Sequence, residues 1–178
     1  MERQIALLRG INLGPHNRVS MPDLRDLLSG AGMGDVRTYV QSGNVVLSSH
    51  LSPEALARQC QSLITACFGL DIAVVVRTRD ELAEIVALNP LGQVAENPKR
   101  YQVSFLSAPL APATVENLRS LAAPSERLVA SGRELYAWHP DGVARSKLWG
   151  RLAGRSLGVT ATARNWTTVT TLLSMADA

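Results

Sequence analysis

Two short runs, Ile5-Ala6-Leu7-Leu8 and Ile72-Ala73-Val74-Val75-Val76, are apolar at every position. Successive side chains of a strand point to opposite faces, so a strand without polar alternation is buried on both. Such strands demand a sheet with material packed on each side. Between the two runs the pattern changes three times. Ser20-Met21-Pro22-Asp23 offers an N-cap, an early proline and an acid in the first turn, and Met21, Leu24, Leu27 and Leu28 recur at helical spacing until Gly30 and Gly32. From Val36 to Gln41 apolar and polar residues alternate, Ser42-Gly43 predicts a tight turn, and Asn44-Val45-Val46-Leu47 continues as the partner strand. Ser52-Pro53-Glu54 opens a second helix with Leu56, Cys60, Leu63, Ile64 and Cys67 as its stripe and Gly69 as its stop. The order is β-α-β-β-α-β, the split-βαβ or ferredoxin-like unit.

The pattern then returns. Thr78-Arg79-Asp80-Glu81 is a capping box that opens a connecting helix with Leu82, Ile85 and Val86 inward, and 89–98, with Pro90, Gly92 and Pro98, reads as a linker. A strand is predicted over 101–106 and a helix over 112–122. A hairpin follows, Leu128 to Ala130 and Leu135 to Trp138 around Ser131-Gly132, then a helix near 146–155 and a strand near 160–163. A last helix is expected from about Trp166 to Met175. The predicted fold class is α+β: two tandem ferredoxin-like subdomains (βαββαβ) with antiparallel sheets, a connecting helix and a C-terminal helix. The expected divisions are a first subdomain over 1–78, connecting helix and linker over 79–98, and a second subdomain with the C-terminal helix over 99–178. No residue-level repeat is evident between the halves. The expected cover for the helix-free face of one sheet is the other copy.

Composition excludes more than it identifies. The 178 residues are 46% hydrophobic and 19% charged, ordinary for a globular protein. No run approaches the ~20 apolar residues of a membrane-spanning helix, and the start has no signal-peptide core, so a cytoplasmic protein is expected. The net charge of +3 is mild, and Lys99 and Lys147 are the only lysines. Cys60 and Cys67, seven apart on a predicted helix, have Cα atoms ~10 Å apart, too far for a disulfide; both read as core residues. No Cys/His spacing suits zinc, so neither metal nor cofactor is expected.

The ferredoxin-like sheet order, 4-1-3-2, gathers distant polar residues. It sets the end of the first strand beside the start of the third, so Arg9 and Asn12 meet Gln41, Ser42 and Asn44, with Asp71 at the same edge. In the second copy the same rule gathers Lys99-Arg100, Arg145, Lys147, Arg164, Asn165 and Trp166. Asn165 is a credible N-cap whose helix would favour an anion, and Trp166, Trp138 or Trp149 offers a stacking face. These ten residues, Arg9, Asn12, Gln41, Ser42, Asn44, Arg145, Lys147, Arg164, Asn165 and Trp166, are the candidate ligand-binding set. The structural alternative is that Asn12 and Asn44 bond local backbone, Arg9 pairs with Asp71, and Trp166 plugs the core. Gly10-Ile11-Asn12-Leu13-Gly14 lacks the Gly-Lys-Ser/Thr ending of a phosphate loop and the spacing of a dinucleotide fingerprint. The strand from Asn44 to Ser49 has no aromatic with which an RNA-recognition motif would stack bases. No serine, histidine and acid converge on one predicted edge.

Ala6-Leu7-Leu8-Arg9-Gly10-Ile11-Asn12, Met21-Pro22-Asp23-Leu24-Arg25, Val36-Arg37-Thr38-Tyr39-Val40-Gln41-Ser42-Gly43-Asn44-Val45, Asn89-Pro90, Ser146-Lys147-Leu148 and Thr162-Ala163-Arg164-Asn165-Trp166 together resemble the bacterial domain of unknown function 1697 family. The resemblance implies a cytosolic α+β protein of two ferredoxin-like subdomains and transfers no activity, cofactor or catalytic residue. After Asn12 the family runs Val-Gly-Gly-Lys where this chain has Leu13-Gly14-Pro15-His16, which removes a backbone N–H and a permanent cation from that loop. The functional expectation is a non-catalytic module binding an anionic, phosphate-bearing small molecule or nucleic acid. The alternatives are a small enzyme at the edge formed by the first strand–helix loop and the 41–44 hairpin, and a self-associating structural protein.

Overall fold

The computed structural model describes all 178 residues. Its first four strands are β1 (Glu2–Leu8), β2 (Gly34–Tyr39), β3 (Asn44–Ser49) and β4 (Val74–Thr78), in an antiparallel sheet of order β2-β3-β1-β4. Helices α1 (Met21–Gly30) and α2 (Pro53–Phe68) connect them. A second sheet, of order β6-β7-β5-β8, is built from β5 (Tyr101–Leu106), β6 (Arg127–Ser131), β7 (Glu134–Trp138) and β8 (Ala161–Asn165), with α4 (Pro112–Leu121) and α5 (Lys147–Leu152). Helix α3 (Arg79–Leu88) follows β4, and α6 (Trp166–Asp177) follows β8. The chain is therefore α+β, with two like-ordered four-stranded sheets in tandem. It divides into two compact units, Met1–Ala83 with Leu172–Ala178, and Glu84–Thr171.

Local chemistry sets the element ends. Ser20 and Ser52 each accept a hydrogen bond from the backbone three residues on and so cap α1 and α2, both with proline in the first turn. Gly69 closes α2 in the left-handed region, at φ 68°. The capping box at α3 is complete: Thr78 N donates to Glu81 Oε2 at 2.8 Å and Glu81 N donates to Thr78 Oγ1 at 3.1 Å. Ser146 caps a shorter helix than the sequence suggests, ending at Leu152, with glycines at 150 and 154 weakening its continuation. Strand β8 runs later than expected, to Asn165, because Asn165 ends the strand and caps the next helix at once.

The first core lies between one sheet face (Ala6, Leu8, Val45, Leu47, Val74, Val76) and the helices (Met21, Leu24, Leu28, Leu56, Cys60, Ile64). The other face is buried too: Ile5, Leu7, Val46 and Val75 are at most 4% exposed. Full burial of one such side chain is worth roughly 1.5–3 kcal/mol, which is why these runs carry no alternation. In the second unit Leu106, Leu135, Ala137 and Ala161 meet Leu118, Leu148 and Leu152. On its other face, Tyr136 donates its hydroxyl to the Ile85 carbonyl of α3 at 3.0 Å, and burial raises the pKa of that phenol. Cys60 is buried, its thiol pushed up to about 12 by desolvation. Cys67 is exposed, contrary to the expectation of a core residue: Phe68, not Cys67, packs on the core at the last turn of α2.

The two halves share one equivalent position, which strand register makes visible. Ile5 lies between Val46 and Arg77, and Val103 lies between Tyr136 and Arg164. Each arginine is buried at the same place in its sheet, and each is followed by a helix-capping residue, Thr78 or Asn165.

The turn between β2 and β3 is the tightest approach in the first unit. Gly43 has φ 82°, its carbonyl accepts from Leu8 N at 2.9 Å, and a Cβ there would lie 2.6 Å from the Leu8 Cβ and 2.9 Å from the Ile11 Cδ1. Gly43→Ala is expected to lower stability by about 3 kcal/mol, from overpacking together with the left-handed backbone. Urea unfolding checks this, and a loss below about 1 kcal/mol would mean the turn relaxes freely.

Candidate functional site

At the first edge the topology does what the sequence implies. Leu7 pairs with Asn44, and Arg9, two residues on, follows in line with Ser42; the Arg9 amide donates to the Ala73 carbonyl at 2.9 Å. The two asparagines, however, are committed to holding the loops. Asn12, at φ 55°, donates from Nδ2 to the Val19 carbonyl at 2.9 Å and the Gln41 carbonyl at 2.7 Å, and its Oδ1 accepts from Val19 N at 2.9 Å. It ties the loop before α1 both to itself and to the β2–β3 turn. Asn44 is fully buried and donates to the Tyr39 carbonyl at 3.1 Å and the Ser42 Oγ at 2.9 Å. An Asn amide has two N–H donors, and in both residues both are used.

What these ties create is a depression of about 660 Å³, lined by Asn12, Arg18, Val19, Ser20, Asp23, Gln41 and Phe68. Arg18 and Gln41 are exposed there, and neither side chain has a partner within the protein. Sequence reasoning missed Arg18, although it stands two residues before the α1 N-cap, where backbone N–H groups and the helix dipole favour an anion. Asp23, in the first turn, opposes that preference. His16 and Asp71 are exposed and do not line the depression. No group of three or more His, Cys, Asp or Glu side chains is arranged to hold a metal ion.

The second edge does not assemble as expected. Leu148 and Leu152 hold α5 on the face of Leu106, Ala137 and Ala161, whereas Arg164 alternates with Ala161 and Ala163 and so lies on the opposite face with Thr162. Arg164 is buried, donates to the Thr162 Oγ1 at 2.6 Å and the Ala163 carbonyl at 2.8 Å, and is lowered by desolvation to about 10. It is neither a surface cation nor a neighbour of Lys147 in one site. Asn165 caps α6 by accepting from Thr168 N at 2.9 Å. Trp166 stacks on Tyr101, with ring centroids 4.7 Å apart, and its backbone N–H donates to the Pro98 carbonyl. Arg145 and Lys147 remain exposed, without intramolecular partners.

The register of β6 and β7 assembles a cluster that the sequence did not suggest. Arg127 pairs with Trp138, and one step further along the same register Glu126 faces His139. The Glu126 Oε2 lies 2.5 Å from the His139 Nδ1 and accepts from the Ser146 hydroxyl at 2.6 Å, while Oε1 accepts from Ala123 N at 2.9 Å. A serine, a histidine and an acid thus do converge, but not in the order a nucleophile needs. Ser146 bonds the carboxylate, accepts from Trp149 N as the α5 cap, and stands 3.5 Å from Nδ1; the wholly buried Nε2 has no partner, its ring edge-on to Trp149. Burial works against the Glu126 charge, but the Ser146, Ala123 and His139 donors outweigh it and hold the carboxyl below its usual value. A carboxylate so stabilised is a weak base. The cluster is a brace that fixes residues 139–147 against the end of the sheet.

These features have a family context. A model of a family described as a protein of unknown function (DUF1697) matches residues 1–136. The chain belongs to that family. The structure of conserved bacterial protein SP0830 from Streptococcus pneumoniae is similar over 98% of both chains, with a TM-score of 0.79 and 21% identity, a likeness of fold. No curated protein matches the sequence. No helix of the chain is long and apolar enough to cross a membrane.

The brace has a pH signature. Because the folded-state pKa of Glu126 lies below the unfolded one, its contribution is complete above the ordinary value of 4.5 and is lost as pH falls through the folded value. Glu126→Gln should lower stability by roughly 1–3 kcal/mol at pH 7, with the gap from wild type narrowing below pH 4.5. Urea unfolding of both proteins at pH 7 and pH 3 measures it; a gap independent of pH would show that the carboxylate charge plays no part.

Proposed function

We propose that this chain is a non-catalytic binding module for an anionic, phosphate-bearing small molecule, seated in the depression beside the start of α1. The observation that carries the reading is the unpartnered Arg18 guanidinium beside the exposed Gln41 carboxamide, at a helix N-terminus held open by the Asn12 cross-tie. A guanidinium can meet two phosphate oxygens at once, and the amide adds a neutral donor. Arg9 and Ser42 flank the same edge and extend the polar rim. Asn12 and Asn44 serve it indirectly by fixing the two turns. A cytoplasmic setting, where phosphorylated metabolites are abundant, suits two cysteines that are free thiols.

Calorimetric titration with inorganic phosphate, pyrophosphate and adenosine nucleotides tests the reading. At least one should bind with a Kd of about 10 μM to 1 mM, and Arg18→Ala should weaken it about tenfold, near 1.4 kcal/mol. Asp23→Asn should tighten binding, since it removes the one carboxylate in the lining. No heat with any probe, or affinity indifferent to both substitutions, would refute the proposal.

A further inference from the structure

We infer that the second unit carries a separate surface that engages the phosphate backbone of a nucleic-acid duplex without reading its sequence, through Lys99, Arg145 and Lys147. The inference is independent of the small-molecule reading, which concerns the first unit. It starts from how distant cations reach one end of the second sheet. The His139 N–H donates to the Arg100 carbonyl at 3.0 Å, and the Arg100 guanidinium donates to the Pro140 carbonyl. From His139 the chain turns back through Gly142 N to His139 O at 2.9 Å and Ser146 N to Val143 O at 3.2 Å. Ser146 is then pinned to Glu126. Lys99 and Arg100 thus flank one end of this linkage, and Arg145 and Lys147 flank Ser146 at the other. Both lysines of the chain are here.

Charge at this place is not balanced internally. Lys99, Arg145 and Lys147 are exposed, and none makes an ion pair or side-chain hydrogen bond. Arg127, at the β6 end, directs its guanidinium to the Pro124 and Glu126 carbonyls and not to a carboxylate. Three carboxylates lie nearby, among them the exposed Glu96, three residues before Lys99. Glu126 is buried under three donors, and Asp141 is exposed, accepting from the Ser125 hydroxyl at 3.1 Å. Five cations against three carboxylates, in a chain whose net charge is only +3, leave an excess of positive charge at this end of the sheet.

The chemistry of the surroundings selects the partner. Of the large exposed apolar side chains, Met1, Leu13, Val40, Leu51 and Leu88 lie in other segments and Val94 stands singly five residues before Lys99, so this end offers no contiguous apolar wedge for a lipid surface and no hydrophobic cluster to anchor a protein. Single strands are held by free aromatic faces. Here Trp166 is stacked on Tyr101, Trp138 is buried, and Trp149 meets His139, so no tryptophan is left to stack a base. Unpaired point charges on a polar face fit a duplex backbone.

Binding of a 20-base-pair DNA duplex, the corresponding RNA duplex and the single strand, each labelled and titrated at 50 and 200 mM salt, tests this. Duplex should bind in the micromolar to hundred-micromolar range at low salt and more tightly than the single strand. Three phosphate contacts give a slope of log K against log salt of about −2.7. Removing Lys99, Arg145 and Lys147 together by alanine substitution should abolish that slope and lower low-salt affinity at least tenfold, with an unchanged melting profile because none of the three side chains bonds within the protein. Arg58→Ala, an exposed cation on α2, should leave both unchanged. The proposal is overturned by lack of duplex binding at 50 mM salt, by preference for the single strand, by a slope that survives the triple substitution, or by an equal loss in Arg58→Ala, which would mean net charge alone is felt.

Discussion

Burial of both faces of each sheet is the constraint from which the remaining features follow. Ala6 and Leu8 pack toward the helices while Ile5 and Leu7 are buried on the other side, and in the second unit Leu106 and Val103 divide in the same way. A sheet enclosed like this has no room for a solvated site along its strands. Polar side chains that do enter it must bring their partners, as Arg164 does with Thr162 and Ala163. Solvated polar chemistry is thereby confined to the strand ends and loops. Both candidate surfaces are there: one where β1 ends and β3 begins, the other where β5 begins and β7 ends.

The two buried arginines show how far the halves share one design. Arg77 and Arg164 occupy the same register position, each directly before a residue that caps the following helix. Sequence comparison of the halves does not reveal this, because the flanking residues differ: Val-Val-Arg-Thr in one, Thr-Ala-Arg-Asn in the other. What the halves share is a requirement of position. The strand must turn into a helix within one residue, which selects Thr or Asn, and the preceding side chain is buried opposite the helix-covered face.

Most of the architecture was legible because it rests on local rules. Caps at Ser20, Ser52, Thr78 and Asn165, glycine stops, and the apolar runs place nearly every element, and the strand order then brings Arg9 beside the 41–44 turn. What was not legible depends on side-chain direction and register. The parity of β8 decides that Arg164 turns away from α5, and no composition or spacing argument fixes that parity without knowing which face the helices cover. The Glu126–His139 contact, by contrast, follows from the β6–β7 hairpin register once Ser131 is paired with Glu134. It escaped notice because Glu126 precedes its strand and reads as a loop residue.

The candidate sites also show which polar residues deserve functional weight. Asn12, Asn44 and Asn165 are the residues a motif reader selects first, yet their carboxamides already serve backbone groups. A ligand that took those hydrogen bonds would release a turn or a helix end, so binding there would compete with folding. Arg18, Gln41, Lys99, Arg145 and Lys147 have no such commitments, and an external partner can engage them without undoing anything. Hydrogen-bonding capacity left over after the fold is complete, rather than polarity itself, marks where this protein can meet a ligand. The asparagines are then understood as the fixed frame that holds Arg18 and Gln41 at the rim of one depression, just as Glu126 and Ser146 hold Arg145 and Lys147 at the end of the second sheet.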